Sequence, residues 1–291
     1  MNYVGIVIRP PSEAYSLIIQ VSVGCSHSRC TFCSSPKEKM FYIKDIDIIK
    51  RDIDEASYYT GYNRAFLAGQ DALIVPTGML LDILRYLKEK NPSIHRVGLY
   101  GNTKAILKKS INELKELKDA GLGIIYQGIE SGNMNILRKI KKGALPHQQL
   151  EAAERVKSAG ILLSQTVLLG IGGKKNSIEH AVDTGKHLGR MSPDYASALT
   201  LMVIPTTELE IDLRESKFEL PDKFELLNEL KVIIENMDVT NRCLFTSNHA
   251  SNYLPIRATL PDDKDEIVNT ISLVIGSRDE SVLKPEHMRG L

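Results

Sequence analysis

The sequence predicts an α/β fold: an open partial (β/α)6 barrel of parallel strands, with a C-terminal helical extension serving as a lid. Three observations predict it. Six short runs of apolar and β-branched residues alternate with segments whose apolar residues recur at helical spacing; βα alternation implies crossover connections and a parallel sheet. Each run stops at a glycine-rich or polar phrase, at the strand end where parallel α/β folds collect their chemistry. Six units fall short of the eight that close a full barrel. Residues 1–215 are expected to carry the barrel and its N-terminal loop. Residues 216–291 form an extension packing on it within the same structural domain.

Residues 16–23 (SLIIQVSV) read as the first strand, running up to Gly24. Residues 45–59 place Ile46, Ile49, Ile53 and Ala56 on one helical face and stop before Gly61. Residues 64–68 (RAFLA) are the second strand, ending in Gly69-Gln70-Asp71. Thr77 caps a helix with Leu80, Ile83, Leu84 and Leu87 inward. Residues 95–100 (HRVGLY) form the third strand, followed by Gly101-Asn102-Thr103 and one helix over 106–120 that stops at Gly121. Residues 123–129 (GIIYQGI) form the fourth strand and lead into Glu130-Ser131-Gly132. Helices over 134–142 and 146–159 follow, the second closing at Gly160. Residues 161–169 (ILLSQTVLL) are the fifth strand, ending in Gly170-Ile171-Gly172-Gly173, and Ser177 opens the next helix. Residues 195–203 (YASALTLMV) are the sixth. Beyond Pro221 the pattern changes: a helix through Phe224, Leu227, Leu230, Ile233 and Ile234, a final strand over 242–246, and a polar stretch over 247–261. A terminal helix over 262–275 precedes a charged tail, expected to be mobile.

Composition narrows the function class. A chain of 291 residues, 43% hydrophobic and 25% charged, is ordinary for a globular protein. Its formal net charge of +1 advertises neither a nucleic acid nor an anionic membrane as partner. No apolar run reaches the roughly 18 residues of a membrane span. The N-terminal residues lack a charged-then-apolar leader pattern, so a reducing cytoplasm is the expected location.

Three of the four cysteines fall within nine residues, Cys25, Cys30 and Cys33, spaced Cys-x4-Cys-x2-Cys on the loop after the first strand. Three thiolates on one short loop can converge on a soft metal centre, and iron–sulfur clusters are held by such thiolates. A disulfide framework is disfavoured by the sparse cysteine content. Structural zinc would need a fourth ligand, for which His27 is close but sits inside the same short loop. Unrelated buried thiols are the third reading. Three cysteines on a four-iron cube leave one iron for a small molecule.

The phrases Gly24-Cys25-Ser26-His27 and Cys30-Thr31-Phe32-Cys33 resemble the cluster loop of the radical S-adenosylmethionine (SAM) superfamily, with an aromatic before the third cysteine. Most members have three residues between the first two cysteines; this chain has four. The resemblance covers roughly residues 18–207, with looser likeness through 247–255. It is nearest to the branch holding the oxygen-independent coproporphyrinogen oxidases and the methylthiotransferases, here as a small stand-alone member without their companion domains.

The resemblance implies a [4Fe–4S] cluster on Cys25, Cys30 and Cys33, SAM bound at the open iron, and an electron donor such as flavodoxin or ferredoxin. It implies one-electron cleavage of SAM and hydrogen abstraction from a small-molecule substrate. Gly69, Gln70 and Asp71 stand where the family often has Gly-Gly-Glu, holding the methionine amino group; a simple turn is the alternative. Asn102 lies in a phrase after the third strand, Leu-Tyr-Gly-Asn-Thr-Lys, seen in close relatives and is expected to bind the cofactor. Glu130 and Ser131 follow the fourth strand, where a polar residue meets the ribose or amino-acid end of SAM in relatives. Glu130 is equally explained as a helix N-terminal acid. Among Arg138, Lys139, Lys141 and Lys142, one cation, taken as Arg138, is expected to bind the SAM carboxylate, unless the group only complements a helix C-terminus. Gly170 begins the phrase that lies along adenine. It lacks the full dinucleotide fingerprint.

For catalysis at the substrate end, the expected residues are His249 and Cys243, near Ser247, Asn248, Asn252 and Tyr253. His can shuttle a proton, and Cys or Tyr can give a hydrogen atom. Loop bracing and a buried thiol are the competing readings. The substrate class stays open between a modified nucleoside, as in a 7-deazaguanine salvage lyase, and a tetrapyrrole. A non-radical SAM- or nucleotide-binding hydrolase and a structural metal-binding protein are the other function classes.

Overall fold

β-Branched and apolar runs form the strands: those at 17–20, 64–68, 96–100 and 122–130 are buried at most positions, as two-sided parallel strands are, while those at 162–169 and 195–200 carry half-exposed residues on one face. The computed structural model describes residues 1–33 and 40–290. They divide into two units: residues 1–28, 40–127 and 151–163, and residues 29–33, 128–150 and 164–290.

In chain order, β1 (Leu17–Gln20) and β2 (Ser22–Val23) precede the cysteine loop, and β3 (Tyr42–Ile43) and α1 (Ile46–Ala56) follow it. Then come β4 (Arg64–Ala68), α2 (Thr77–Lys90), β5 (Arg96–Tyr100), α3 (Thr103–Leu107), α4 (Ile111–Asp119) and β6 (Leu122–Glu130). In the first unit β1, β4, β5 and β6 pair in that order, all parallel. β2 and β3 make a separate antiparallel pair.

The second unit adds α5 (Met134–Lys139), and the chain continues through α6 (Pro146–Ser158), β7 (Leu162–Leu169), α7 (Gly173–Met191) and β8 (Tyr195–Thr200). α8 (Glu208–Arg214), α9 (Lys223–Glu235), β9 (Cys243–Thr246), β10 (Arg257–Leu260) and α10 (Lys264–Ser277) complete it. β7, β8 and β9 are parallel neighbours, and β10 joins β9 antiparallel.

Several features differ from the sequence reading: Thr77, for one, is the first residue of α2 and not its cap, and its hydroxyl donates to Glu113 at 2.7 Å. The expected 16–23 strand is two strands, since Val21 takes its own bonds, to Ala68 and from Lys44. The expected 106–120 helix is broken: the Ser110 hydroxyl accepts from the Glu113 amide while the Glu113 carboxylate accepts from the Ser110 amide. This capping box starts α4 afresh. The polar stretch 247–261 contains β10, which extends the sheet edge. The tail is docked: Arg289 Nε donates to the Ser251 carbonyl at 2.7 Å, and its guanidinium lies 4.1 Å from the Tyr253 ring centroid. Leu291 lies outside the described residues.

Candidate active site

The cysteine loop is fastened in both of its halves. On the first side, the Ser26 hydroxyl donates to the Asp71 carboxylate. Ser28 adopts φ 48°, a left-handed conformation, and its hydroxyl closes back on the Cys25 carbonyl. That turn takes up chain length between the first two cysteines. On the second side, the Thr31 amide bonds to the Ile140 carbonyl at 3.1 Å, and the Thr31 carbonyl accepts from Leu209 at 3.0 Å. Phe32 packs on a buried cluster of Ile136, Leu137, Ile140, Ile171, Leu201, Leu209 and Phe218. Cys25, Cys30 and Cys33 are each half-buried, while Cys243 is buried. Among the described residues no three His, Cys, Asp or Glu side chains are gathered as a metal site.

Gly69 has to be glycine. Its φ is 152°, and a Cβ there would run into Ser22 Oγ. Asp71 is fully buried. Its carboxylate accepts from the Asn102 amide at 3.0 Å and from Asn102 Nδ2 at 2.6 Å, besides Ser26. Asn102 Oδ1 in turn caps α3 through the Ala105 amide at 2.8 Å. Asp71 and Asn102 therefore brace the strand ends and the cysteine loop with their side chains. The polar backbone of Gly69 and the half-buried Gln70 lie beside that brace.

Glu130 ends β6 with φ 63° and pairs with Lys142 at 2.7 Å. Ser131 is fully buried; its hydroxyl contacts His180 Nδ1 at 2.9 Å and accepts from the Asn133 amide at 3.0 Å. Ser131 thus braces the start of α5 and α7 rather than facing solvent. In the basic group, Lys141 pairs with Glu208, Lys142 with Glu130, and Lys139 lies over the Phe218 ring. Arg138 is exposed, and among the described residues its guanidinium enters no ion pair.

Gly170 has φ 83°, and its amide donates to Glu229 Oε1 at 2.6 Å. Glu229, on α9, is fully buried and also accepts from Ser177. His180 Nε2 lies 3.5 Å from the same carboxyl. Burial pushes the Glu229 carboxyl up to about 7 and the His180 imidazole down to about 4. Sequence reasoning missed this pair. Its signal was a glutamate on the apolar stripe of α9, between Leu226 and Leu230.

In the C-terminal segment, Asn252 is a brace: its Nδ2 donates to the Ala198 and Ser247 carbonyls, and its Oδ1 accepts from Thr200. His249 is half-buried. Its Nδ1 accepts from the Ser251 amide at 3.1 Å, which leaves the ring proton on Nε2. Burial, then Lys284, lower its pKa. Cys243 is fully buried on β9, its thiol pushed up to about 12 by burial. This geometry gives Cys243 packing contacts in the core.

The radical SAM superfamily model matches residues 19–188, more than half of the chain. The chain belongs to the radical SAM superfamily. Its parallel strands and helices have the α/β fold of that family's partial barrels. A relative named as an uncharacterized methyltransferase, PH0819 of Pyrococcus horikoshii, is 25% identical over 200 residues, covering 66% of this chain and 40% of the relative. The chain therefore spans less than half the length of that curated relative. Among solved structures, TsrM of Kitasatospora setae, a radical SAM methyltransferase with cobalamin and a [4Fe–4S] cluster bound, aligns with TM-score 0.58 at 16% identity. That alignment covers 69% of this chain and 39% of TsrM. The coproporphyrinogen III oxidase HemN of Escherichia coli aligns with TM-score 0.58 at 15% identity over 76% of this chain and 52% of HemN. Methylornithine synthase PylB aligns with TM-score 0.54 at 16% identity, covering 76% and 62%. At these identities the likeness is one of fold.

The donor set fits a radical SAM cluster. Three half-buried thiols lie on one loop, and the fourth cysteine is buried in β9, away from that loop in sequence. Soft thiolate ligands suit iron–sulfur centres. No helix among the described residues is long and apolar enough to cross a membrane.

Proposed function

We propose that Cys25, Cys30 and Cys33 hold one [4Fe–4S] cluster whose open iron takes SAM, and that the enzyme abstracts hydrogen from a small-molecule substrate in the cytoplasm. The observation that carries this reading is the three-cysteine loop fastened on both sides, by Ser26 on Asp71 and by Thr31 and Phe32 on the apolar cluster. When bound, cluster and SAM together supply a hydrogen-abstracting radical, with an electron from a flavodoxin- or ferredoxin-type donor. The chain's own residues bind, orient and exclude water.

The backbone at Gly69 and Gln70 receives the methionine amino group, and Arg138 receives its carboxylate as a charge-assisted pair. Glu130, paired with Lys142, accepts hydrogen bonds from the ribose hydroxyls. The Gly170 turn, held by Glu229, lies along adenine. Asp71 and Asn102 keep the loop and strand ends in register rather than touching SAM. His249 holds its Nε2 proton toward the substrate end. Anaerobic protein given SAM and dithionite should release 5′-deoxyadenosine, and Cys30→Ala should release none. Release by neither protein would overturn the proposal.

A second reading is methyl transfer, favoured by the methyltransferase name of the 25%-identical relative. Formation of S-adenosylhomocysteine in the same incubations, without 5′-deoxyadenosine, would select it.

A further inference from the structure

One face of the second unit's sheet is built unlike its other face. Along β7 and β8 the buried positions include Val167, Leu169, Ala196 and Ala198. On the opposite face Thr166, Leu168, Tyr195, Ser197 and Leu199 are all half-exposed. Strands of a parallel sheet are usually buried and apolar on both faces. Strand register aligns the polar members of the half-exposed face. Thr166 is level with Ser197, Ser197 with Thr246, and Thr246 with Arg257.

Residues level with one another in a sheet point to the same side. The Ser197 and Thr246 hydroxyls confirm it by meeting at 2.9 Å. The result is one cross-strand row: three hydroxyls ending in a guanidinium. At about 4.8 Å per strand it spans roughly 14 Å. Among the described residues the Thr166 hydroxyl makes no side-chain hydrogen bond and Arg257 enters no ion pair. Leucines 168 and 199 lie one step along the same face. Leu168 packs on the same apolar cluster as Phe32, the neighbour of Cys33.

We propose that Thr166, Ser197, Thr246 and Arg257 form the seat of a small polyhydroxylated anion, its carboxylate or phosphate on Arg257 and its hydroxyls on the row. The charge is complementary: an unpaired guanidinium is a two-pronged donor for either oxyanion. The hydroxyls both donate and accept, matching a ligand rich in hydroxyls. That the anion is the enzyme's substrate rests on the radical SAM reading above; that it binds here does not.

The test is calorimetry on anaerobic, cluster-loaded protein with ribose 5-phosphate, gluconate and neutral ribose. The expected result is saturable binding of at least one anion and none of ribose. Arg257→Gln should weaken that binding about tenfold, as loss of one charge-assisted bond does. Ser197→Ala with Thr246→Val should weaken it further, while SAM affinity stays unchanged in all variants. Which anion binds identifies the oxyanion. Binding of neither anion, or equal binding to Arg257→Gln, overturns the proposal. Arg257 is exposed, so its variant is expected to fold. Loss of SAM binding with anion binding intact would count against the enzyme reading and leave this site standing.

Discussion

The Asp71 carboxylate, at the end of β4, accepts both the backbone amide and the side-chain amide of Asn102, at 3.0 and 2.6 Å. With Ser26 as its third partner, one buried acid joins two strand ends and the cysteine loop. Asp71→Ala leaves these donors without an acceptor, a loss of about 1–3 kcal/mol. SAM affinity should fall about tenfold or more, and Ser26→Ala should show part of the effect. Equal SAM affinity in Asp71→Ala, measured by anaerobic titration, would remove the bracing role.

Gly69→Ala should be harsher. The new methyl meets Ser22 at a φ of 152°, and strain with overpacking costs on the order of 3 kcal/mol. Denaturant unfolding of the variant should show that loss, which an unaltered midpoint would contradict.

The Glu229–His180 pair gives opposing pH slopes. Glu229 stands near 7 against an ordinary 4.5, so its contribution is present below about 4.5 and lost as pH rises through 7. His180 stands near 4 against an ordinary 6.5, so its contribution is present above 6.5 and lost as pH falls through 4. Relative to wild type, Glu229→Gln should therefore gain stability with rising pH between 4.5 and 7. His180→Gln should lose it between 4 and 6.5. Unfolding at a series of pH values checks both; parallel curves for wild type and variants would contradict the assignment.

The six barrel strands were legible because apolar runs end at glycines or polar phrases, and burial then enforces the pattern. The break at Ser110 was hidden because Leu107, Ile111 and Leu114 continue one apolar stripe across it; only the Ser110–Glu113 spacing carries the signal. β10 reads as a polar loop since one face carries Arg257 and Thr259. In the site, the strand-end phrases were legible from position. The side chains that hold them were not, because Ser26–Asp71 and Gly170–Glu229 join residues far apart in sequence.

Cys243→Ala should retain cluster, SAM binding and turnover while losing about 1 kcal/mol of stability, as removal of one buried heavy atom does. His249→Ala should retain cluster and SAM binding but lose substrate turnover. Normal turnover in His249→Ala would make His249 itself a structural residue.

The central claim is an iron–sulfur cluster with one iron open to SAM. Electron paramagnetic resonance of the reconstituted, dithionite-reduced protein tests it most directly, with and without SAM. The account predicts about four iron and four sulfide per chain, a reduced-cluster signal that changes on SAM addition, and loss of that signal in Cys25→Ala. Colourless protein holding tightly bound zinc, or a cluster signal that SAM leaves unchanged, would contradict it.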